Sequence, residues 1–164
     1  MSAISFEEIM FTIMSATQDT FKNYLGVDIY AGKVEKKVDP VDSDVVGIVG
    51  VAGDRVGYII LGADSAAAVT IAKQLLMMDE PDAESIRDAI GELTNNIAGV
   101  FKTKYHEEYG SVALGFPLVV SGKIRTMGEP GQDPGSSMNV QCKGVTIPFK
   151  SLDGAFTLRV MVYM

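Results

Sequence analysis

Two side chains able to do chemistry stand three residues apart, the carboxylate of Glu92 and the carboxamide of Asn95. They lie in Ser85–Tyr105, where apolar residues recur at steps of three and four, the spacing of an amphipathic helix. Residues three apart on a helix are surface neighbours, so both side chains should project from the polar face. The carboxylate accepts hydrogen bonds and carries a negative charge, whereas the neutral carboxamide can hold a water molecule as donor and acceptor.

Small residues surround this pair on the predicted helix. Each helical glycine lowers stability by up to about 1 kcal/mol relative to alanine, which suggests that the missing bulk allows another surface to come close. Asp88 and Gly99 share the face with the pair, and we interpret it as a docking site. A Glu and an Asn three apart also occur by chance on solvated helices, and Asp88 alone is more typical of a solvated acid than of a partner contact. The small residues are Ala89, Gly91, Ala98 and Gly99.

The elements that must position this helix can also be predicted. Ser5 is a candidate cap for a helix from Phe6 to about Leu25 that ends at Gly26, and Asp82 or Ser85 is a candidate cap for the polar helix. A further helix, Ala66 to about Met77, should begin at Asp64 or Ser65. Residues 39–44 and Gly128–Ser137 have the composition of loops. The predicted strands are residues 27–38, Val45–Val51, Arg55–Leu61, Val112–Leu114, Pro117–Lys123, Ser137–Lys143 and Ala155–Tyr163.

Length and composition restrict the class of protein. A chain of 164 residues is most simply one domain, residues 1–164, and its net charge of −7 argues against nucleic acid or an anionic membrane as the main partner. Cys142 is the only cysteine and His106 the only histidine, which argues against a cysteine-based zinc site and a Ser-His-Asp triad. We expect no metal site. The chain has neither a signal-peptide pattern nor about 20 consecutive apolar residues, so we expect a cytoplasmic protein.

The longer motif from Asp88 to Gly99, DAIGELTNNIAG, resembles the signature helix of the CheC/CheX/FliY family of chemotaxis phosphatases, and CheX most closely. The run VVGIVGVAGDRVGYIILG before an Ala-rich helix and the segment GFPLVVSG resemble the same family, so the likeness covers most of the chain. It implies an α/β (α+β) fold, a CheC-like sandwich of a mostly antiparallel sheet packed against about three helices. The order of the predicted elements also shows a weak internal repeat: helix, hairpin and strands, then helix and strands. Like CheX, the chain has one motif, because the third residue after Glu8 in the first helix is Phe11.

The resemblance also implies an activity, removal of phosphate from the aspartyl phosphate of a CheY-like response regulator. It assigns Glu92 and Asn95 as catalytic residues: Glu92 would anchor the regulator through the lysine at its phosphorylation site, and Asn95 would orient the attacking water. Asp88, Glu92, Asn96 and Gly99 would bind the partner. The chain would need no cofactor of its own, because Mg²⁺ would be supplied by the regulator. The family also implies a homodimer formed by joining or exchanging strands.

A second function remains open at this stage, a non-catalytic adaptor that binds a response regulator or a flagellar-switch component. The intact Glu-x-x-Asn pair favours the phosphatase, because an adaptor needs no amide to position water. A small-molecule binding domain has no support, because the glycines at Gly47, Gly50, Gly53 and Gly57 match no nucleotide-binding loop. Close packing under a helix explains those glycines better.

Overall fold

The computed structural model describes residues 5–36, 41–124 and 144–164. Within these ranges the chain forms three α-helices and seven strands. The helices are α1 (Phe6–Thr20), α2 (Ser65–Leu76) and α3 (Ala83–Glu108), and a π-helical turn, Phe21–Leu25, continues α1. The strands are β1 (Ile29–Ala31), β2 (Val41–Gly53), β3 (Gly57–Ala63), β4 (Val112–Leu114), β5 (Leu118–Ile124), β6 (Gly144–Ser151) and β7 (Thr157–Tyr163).

Each helix begins at a polar cap, as the sequence predicts. Ser5 forms a capping box with Glu8 at the start of α1. The Asp64 carboxylate accepts the backbone N–H of the third residue of α2, and the Asp82 carboxylate accepts that of α3, each at 2.7 Å. Such caps satisfy backbone donors that a helix leaves free. Gly26, with φ of 63°, ends the first helical stretch as predicted, although its last five residues form the π-helical turn.

All pairings between the described strands are antiparallel, in the order β1-β6-β7-β3-β2-β4, with β5 also on β2. The predicted class, an α+β sandwich with a mostly antiparallel sheet and three helices, is confirmed. Strand β2 is long enough to pair with β5 through its first half and with β4 through its end. The prediction of a loop at residues 39–44 is wrong from Val41 onward, because Val41–Ser43 pair with β5 and begin strand β2. The register of this pairing shifts between Ser43 and Val46. Long-range pairing here overrides local turn preference.

Strand β6 was not predicted. The nearest predicted strand, Ser137–Lys143, lies outside the described residues, as do Cys142 and the predicted loop Gly128–Ser137. Of the predicted strand at residues 27–38, the described part up to Lys36 contains the short strand β1 and an isolated bridge at Glu35, and residues 37 and 38 lie outside the described ranges. Pro148 lies inside β6, where pairing with β1 runs only from Phe149 to Ser151. A proline is tolerated there because β1 makes no ladder pair with it.

The three helices share one hydrophobic core with one face of the sheet. Helix α3 lies directly on β2: a Cβ added to Gly47 would stand 2.0 Å from Oγ1 of Thr94. Thr94 is fully buried, and its hydroxyl donates to the Ile90 carbonyl at 2.6 Å. This close approach restricts the rotation of α3 about its axis and keeps its polar face outward. The large apolar side chains of the fully buried stripe of α3 are Ile90, Leu93, Ile97 and Phe101.

Candidate active site on helix α3

Glu92 and Asn95 are both exposed near the middle of α3, and the residues between them are buried. Side chains three apart on a helix have Cβ atoms about 5–6 Å apart, so one partner group can reach both. Neither side chain forms a hydrogen bond or an ion pair with another residue in the described ranges. The carboxylate and the carboxamide are therefore available to a second molecule.

The pair belongs to a continuous outward strip. Asp88, one turn before Glu92, is exposed, and a Cβ added to Gly99 would meet no atom within 4 Å. We call Asp88, Glu92, Asn95 and Gly99 the polar ridge. The predicted placement of these four residues on one open face is confirmed by their position on α3, and their roles stay predictions.

The other small residues serve a different purpose from the one that the sequence suggests. Ala89 and Ala98 are fully buried in the protein's own interior. Gly91 is also buried, because an added Cβ there would stand 3.1 Å from Cγ2 of Val119. The interpretation that these three residues clear space for a partner is wrong: they let α3 pack closely within the molecule. Only Gly99 leaves open space beside the pair.

Asn96, the remaining predicted partner-binding residue, lies at the margin of the polar ridge. Its side chain is half-buried, and its Nδ2 atom is buried without a hydrogen-bond acceptor among the described residues. An unsatisfied buried donor costs about 1–3 kcal/mol, so Asn96 does not stabilise the fold through this group. It is not on the open face with Glu92 and Asn95, and its contact with a partner stays a prediction.

A second segment, which the sequence alone does not connect with α3, lies beside this helix at Gly91. Residues 115–117 link β4 to β5, and Pro117 lies with its Cβ 4.0 Å from the position of a Gly91 Cβ. The backbone N–H of Gly115 donates to the Gly50 carbonyl at 2.9 Å, which fixes the start of this connection. Phe116, between them, is 97% exposed. A buried helical glycine is the signal that could have indicated a close neighbour for α3.

Charges along α3 are unevenly distributed around the site. The first half exposes three carboxylates, of Glu84, Asp88 and Glu92, against one cation, Arg87, and so carries a net negative charge. At the start of the helix, the backbone N–H of Ser85 donates to Asp82 and lowers the pKa of that carboxyl. An acidic surface favours a cationic group on a partner through long-range attraction.

The described residues offer few other catalytic groups. In the ranges that the structure covers, no group of three or more His, Cys, Asp or Glu residues is placed to hold a metal ion. His106 is exposed in the last turn of α3, with Nδ1 3.1 Å from the Gly110 carbonyl. None of the described helices is long and apolar enough to cross a membrane. The chemistry that the ridge supports is positioning: a charge to hold a partner and an amide to orient water.

Comparison with known proteins agrees with this architecture. A family model described as chemotaxis phosphatase CheX matches residues 45–150, a range that begins within β2, includes all of α3 and ends one residue before the end of β6. A search of curated proteins gave no significant match.

Solved structures with the same fold include several at low sequence identity. A chemotaxis protein CheX from Desulfovibrio desulfuricans is 23% identical, with 96% of this chain and 99% of that chain covered and a TM-score of 0.79. A CheX from Vibrio vulnificus is 22% identical, with 95% and 98% covered and a TM-score of 0.75. A chain in the CheX-CheY-BeF3-Mg²⁺ complex from Borrelia burgdorferi is 23% identical, with 94% and 96% covered and a TM-score of 0.71.

Proposed function

The chain belongs to the CheX family of chemotaxis phosphatases, and from this premise we propose that it removes the phosphoryl group from the phosphoaspartate of a CheY-type response regulator. The observation that carries the proposal is the exposed pair Glu92 and Asn95, which project together from α3 without a partner among the described residues. The Borrelia burgdorferi complex, which contains CheY, BeF3 and Mg²⁺, supports a CheY-type partner for a protein of this fold.

The two side chains would have separate roles. Glu92 would bind the lysine at the regulator's phosphorylation site, and this ion pair would place the polar ridge over the acyl phosphate. Asn95 would hold a water molecule in line with the bond between phosphorus and the aspartate oxygen. Attack by the water forms the new P–O bond, the aspartate leaves as a carboxylate, and the water's proton ends on inorganic phosphate or solvent. Mg²⁺ bound by the regulator would neutralise phosphoryl charge.

A carboxamide suits this reaction for two physical reasons. An acyl phosphate is already reactive, so its hydrolysis depends mainly on the placement of water and on charge stabilisation. A neutral amide can hydrogen-bond that water without repelling the phosphoryl oxygens, as a second carboxylate would. The mechanism therefore requires no nucleophile and no metal site on this chain.

The first test removes the amide. Asn95→Ala should lower the rate of phosphate release from a phosphorylated regulator by about 100-fold, the usual effect of losing one transition-state hydrogen bond. Its affinity for the regulator activated with beryllofluoride should stay near that of the wild type. Glu107→Ala, an exposed substitution elsewhere on α3, is the control and should leave the rate unchanged. Full phosphate release by Asn95→Ala would refute the assigned role.

The second test reverses the charge of the anchor. Glu92→Lys should weaken binding of the activated regulator by about 30-fold or more, because it places two cations together at the predicted ion pair. Glu84→Lys makes the same change in net charge two turns earlier on α3 and should weaken binding only slightly. Equal losses in the two variants would show that general electrostatic attraction, and not an anchor, is at work.

A non-catalytic adaptor is the alternative, and the same assay separates it. An adaptor would bind the activated regulator through the polar ridge yet leave the spontaneous decay of its phosphoaspartate unchanged. The proposal also includes a homodimer, which the family likeness implies, and a location in the cytoplasm. A molar mass of one chain at micromolar concentration, measured by light scattering, would contradict the dimer.

A further inference from the structure

We propose that Asn96 is a positioning residue for the anchor and holds the Glu92 carboxylate by a hydrogen bond once a response regulator has docked. This inference rests on the proposed function and adds a step to it. It starts from an anomaly, because Nδ2 of Asn96 is buried and has no hydrogen-bond acceptor among the described residues. Buried polar groups are almost always hydrogen-bonded, so an exception needs an explanation.

The place of Asn96 on α3 explains why its donor is unpaired. The side chain is half-buried at the margin between the polar ridge and the buried stripe of the helix. Toward the core, its neighbours three residues before and four residues after are Leu93 and Val100. Both side chains are apolar and offer no acceptor. In this inward orientation the carboxamide is therefore only partly satisfied.

An acceptor lies within reach on the outer side, the carboxylate of Glu92. Glu92 and Asn96 are four residues apart, and residues at this spacing are neighbours on a helix surface, where amide and carboxylate side chains can form hydrogen bonds. Helical side chains lean toward the N-terminus, which directs Asn96 toward the turn that carries Glu92. Since the Glu92 carboxylate has no other partner in the described ranges, a change of side-chain rotamer is enough to join the two groups.

Docking of the regulator makes this hydrogen bond favourable. In the free protein the Glu92 side chain is exposed, and fixing it in one geometry would cost conformational entropy. In the complex the regulator's lysine already holds the carboxylate and the interface excludes water, so a hydrogen bond there is stronger. The unpaired donor of Asn96 gains an acceptor in the same step. Asn96 would thus strengthen the ion pair without touching the phosphoryl group or the attacking water.

The test replaces the amide by an apolar group of similar size. Asn96→Leu should raise the melting temperature by about 2–6 °C, because it removes a buried donor that lacks an acceptor. It should also weaken binding of a CheY-type regulator activated with beryllofluoride and Mg²⁺ by about 5- to 10-fold. KM for the phosphorylated regulator should rise by the same factor, with kcat unchanged. A purely structural residue would not combine higher stability with weaker binding, and wild-type affinity in Asn96→Leu would overturn the proposal.

A double-mutant cycle shows whether Asn96 acts through Glu92. In a Glu92→Ala background, Asn96→Leu should change the affinity for the activated regulator by less than about twofold, because the acceptor is already absent. Equal losses in the two backgrounds would overturn the positioning role and would indicate a direct contact between Asn96 and the regulator instead.

Glu107→Leu is the matched control, because it places the same apolar side chain at an exposed position about three turns further along α3. It should bind the activated regulator within about twofold of the wild type. Failure of the positioning role would leave the Asn95 test of the phosphatase intact. If the wild-type chain neither binds such regulators nor accelerates their dephosphorylation, the proposed function fails, and the positioning role fails with it.

Discussion

Helices α1 and α3 pack into the same core, yet only α3 presents a free carboxylate and amide pair. In α1, the third residue after Glu8 is Phe11, and Glu8 itself is used to cap the helix. The Ser5 backbone N–H donates to its carboxylate and lowers the pKa of Glu8. In α3 the cap is Asp82, ten residues before Glu92. The helix end therefore engages the carboxylate of Glu8, whereas the carboxylate of Glu92, in the middle of α3, is available to a partner.

Exchanging residues between the two helices should have the largest effect. Asn95→Phe, which gives α3 the residue found in α1, should reduce phosphate release by about 100-fold or more, because no amide then orients the water. Adding Phe11→Asn to that variant should not restore activity, since Glu8 remains engaged by Ser5. Both rates can be followed as the decay of a phosphorylated regulator. Recovered activity in the double variant would show that a Glu-x-x-Asn pair in the first turn of a helix is as active as one in the middle.

The close packing of α3 on the sheet can be tested by a substitution at Gly47. Gly47→Ala places a Cβ 2.0 Å from Oγ1 of Thr94 and 3.3 Å from the Ile90 carbonyl oxygen, so α3 must shift. We expect a loss of about 1–3 kcal/mol in the free energy of unfolding, measured by urea denaturation. Gly50→Ala is the control on the same strand, because an added Cβ there meets no atom within 4 Å. A Gly47→Ala protein as stable as the control would contradict the close contact.

The two glycines of α3 should respond in opposite ways. Gly99→Ala should raise the free energy of unfolding by about 0.5–1 kcal/mol, because alanine is the better helix former and the site is open. Gly91→Ala should gain less or lose stability, because its Cβ would press on Val119. Gly99→Leu should weaken regulator binding if the ridge is the docking face. Equal stabilisation at both positions in thermal melts would argue against the packing of Gly91.

Lowering the pH should destabilise the N-terminal cap of α1 by protonating Glu8. Because the folded protein lowers the pKa of Glu8, the cap contributes stability above the ordinary pKa of a glutamate and loses it as the pH falls through the lowered pKa. Glu8→Gln should therefore flatten the pH dependence of the melting temperature in the acidic range. An unchanged pH profile in Glu8→Gln would contradict this use of the carboxylate, and the activity of α3 at neutral pH should stay the same.

Much of the candidate site could be predicted because its determinants are local. The spacing of apolar residues in α3, the cap at Asp82 and the hairpin of β2 and β3 depend on residues close in sequence. Strand β6 and the first residues of β2, Val41–Ser43, could not be predicted in the same way, because pairing with distant strands determines their conformation. The interpretation of Gly91 as space for a partner is also wrong, because the residue that fills this space, Val119, lies far along the chain.

The amino-acid order alone determines that Glu92 and Asn95 share the outward stripe of one helix, since helical periodicity and capping act over a few residues. The tertiary structure decides what surrounds that stripe. It packs α3 closely on Gly47 of β2 and fills the space beside Gly91 with Val119 of β5. These contacts join segments distant in the chain, and only the packing of the whole sheet and its helices can select them.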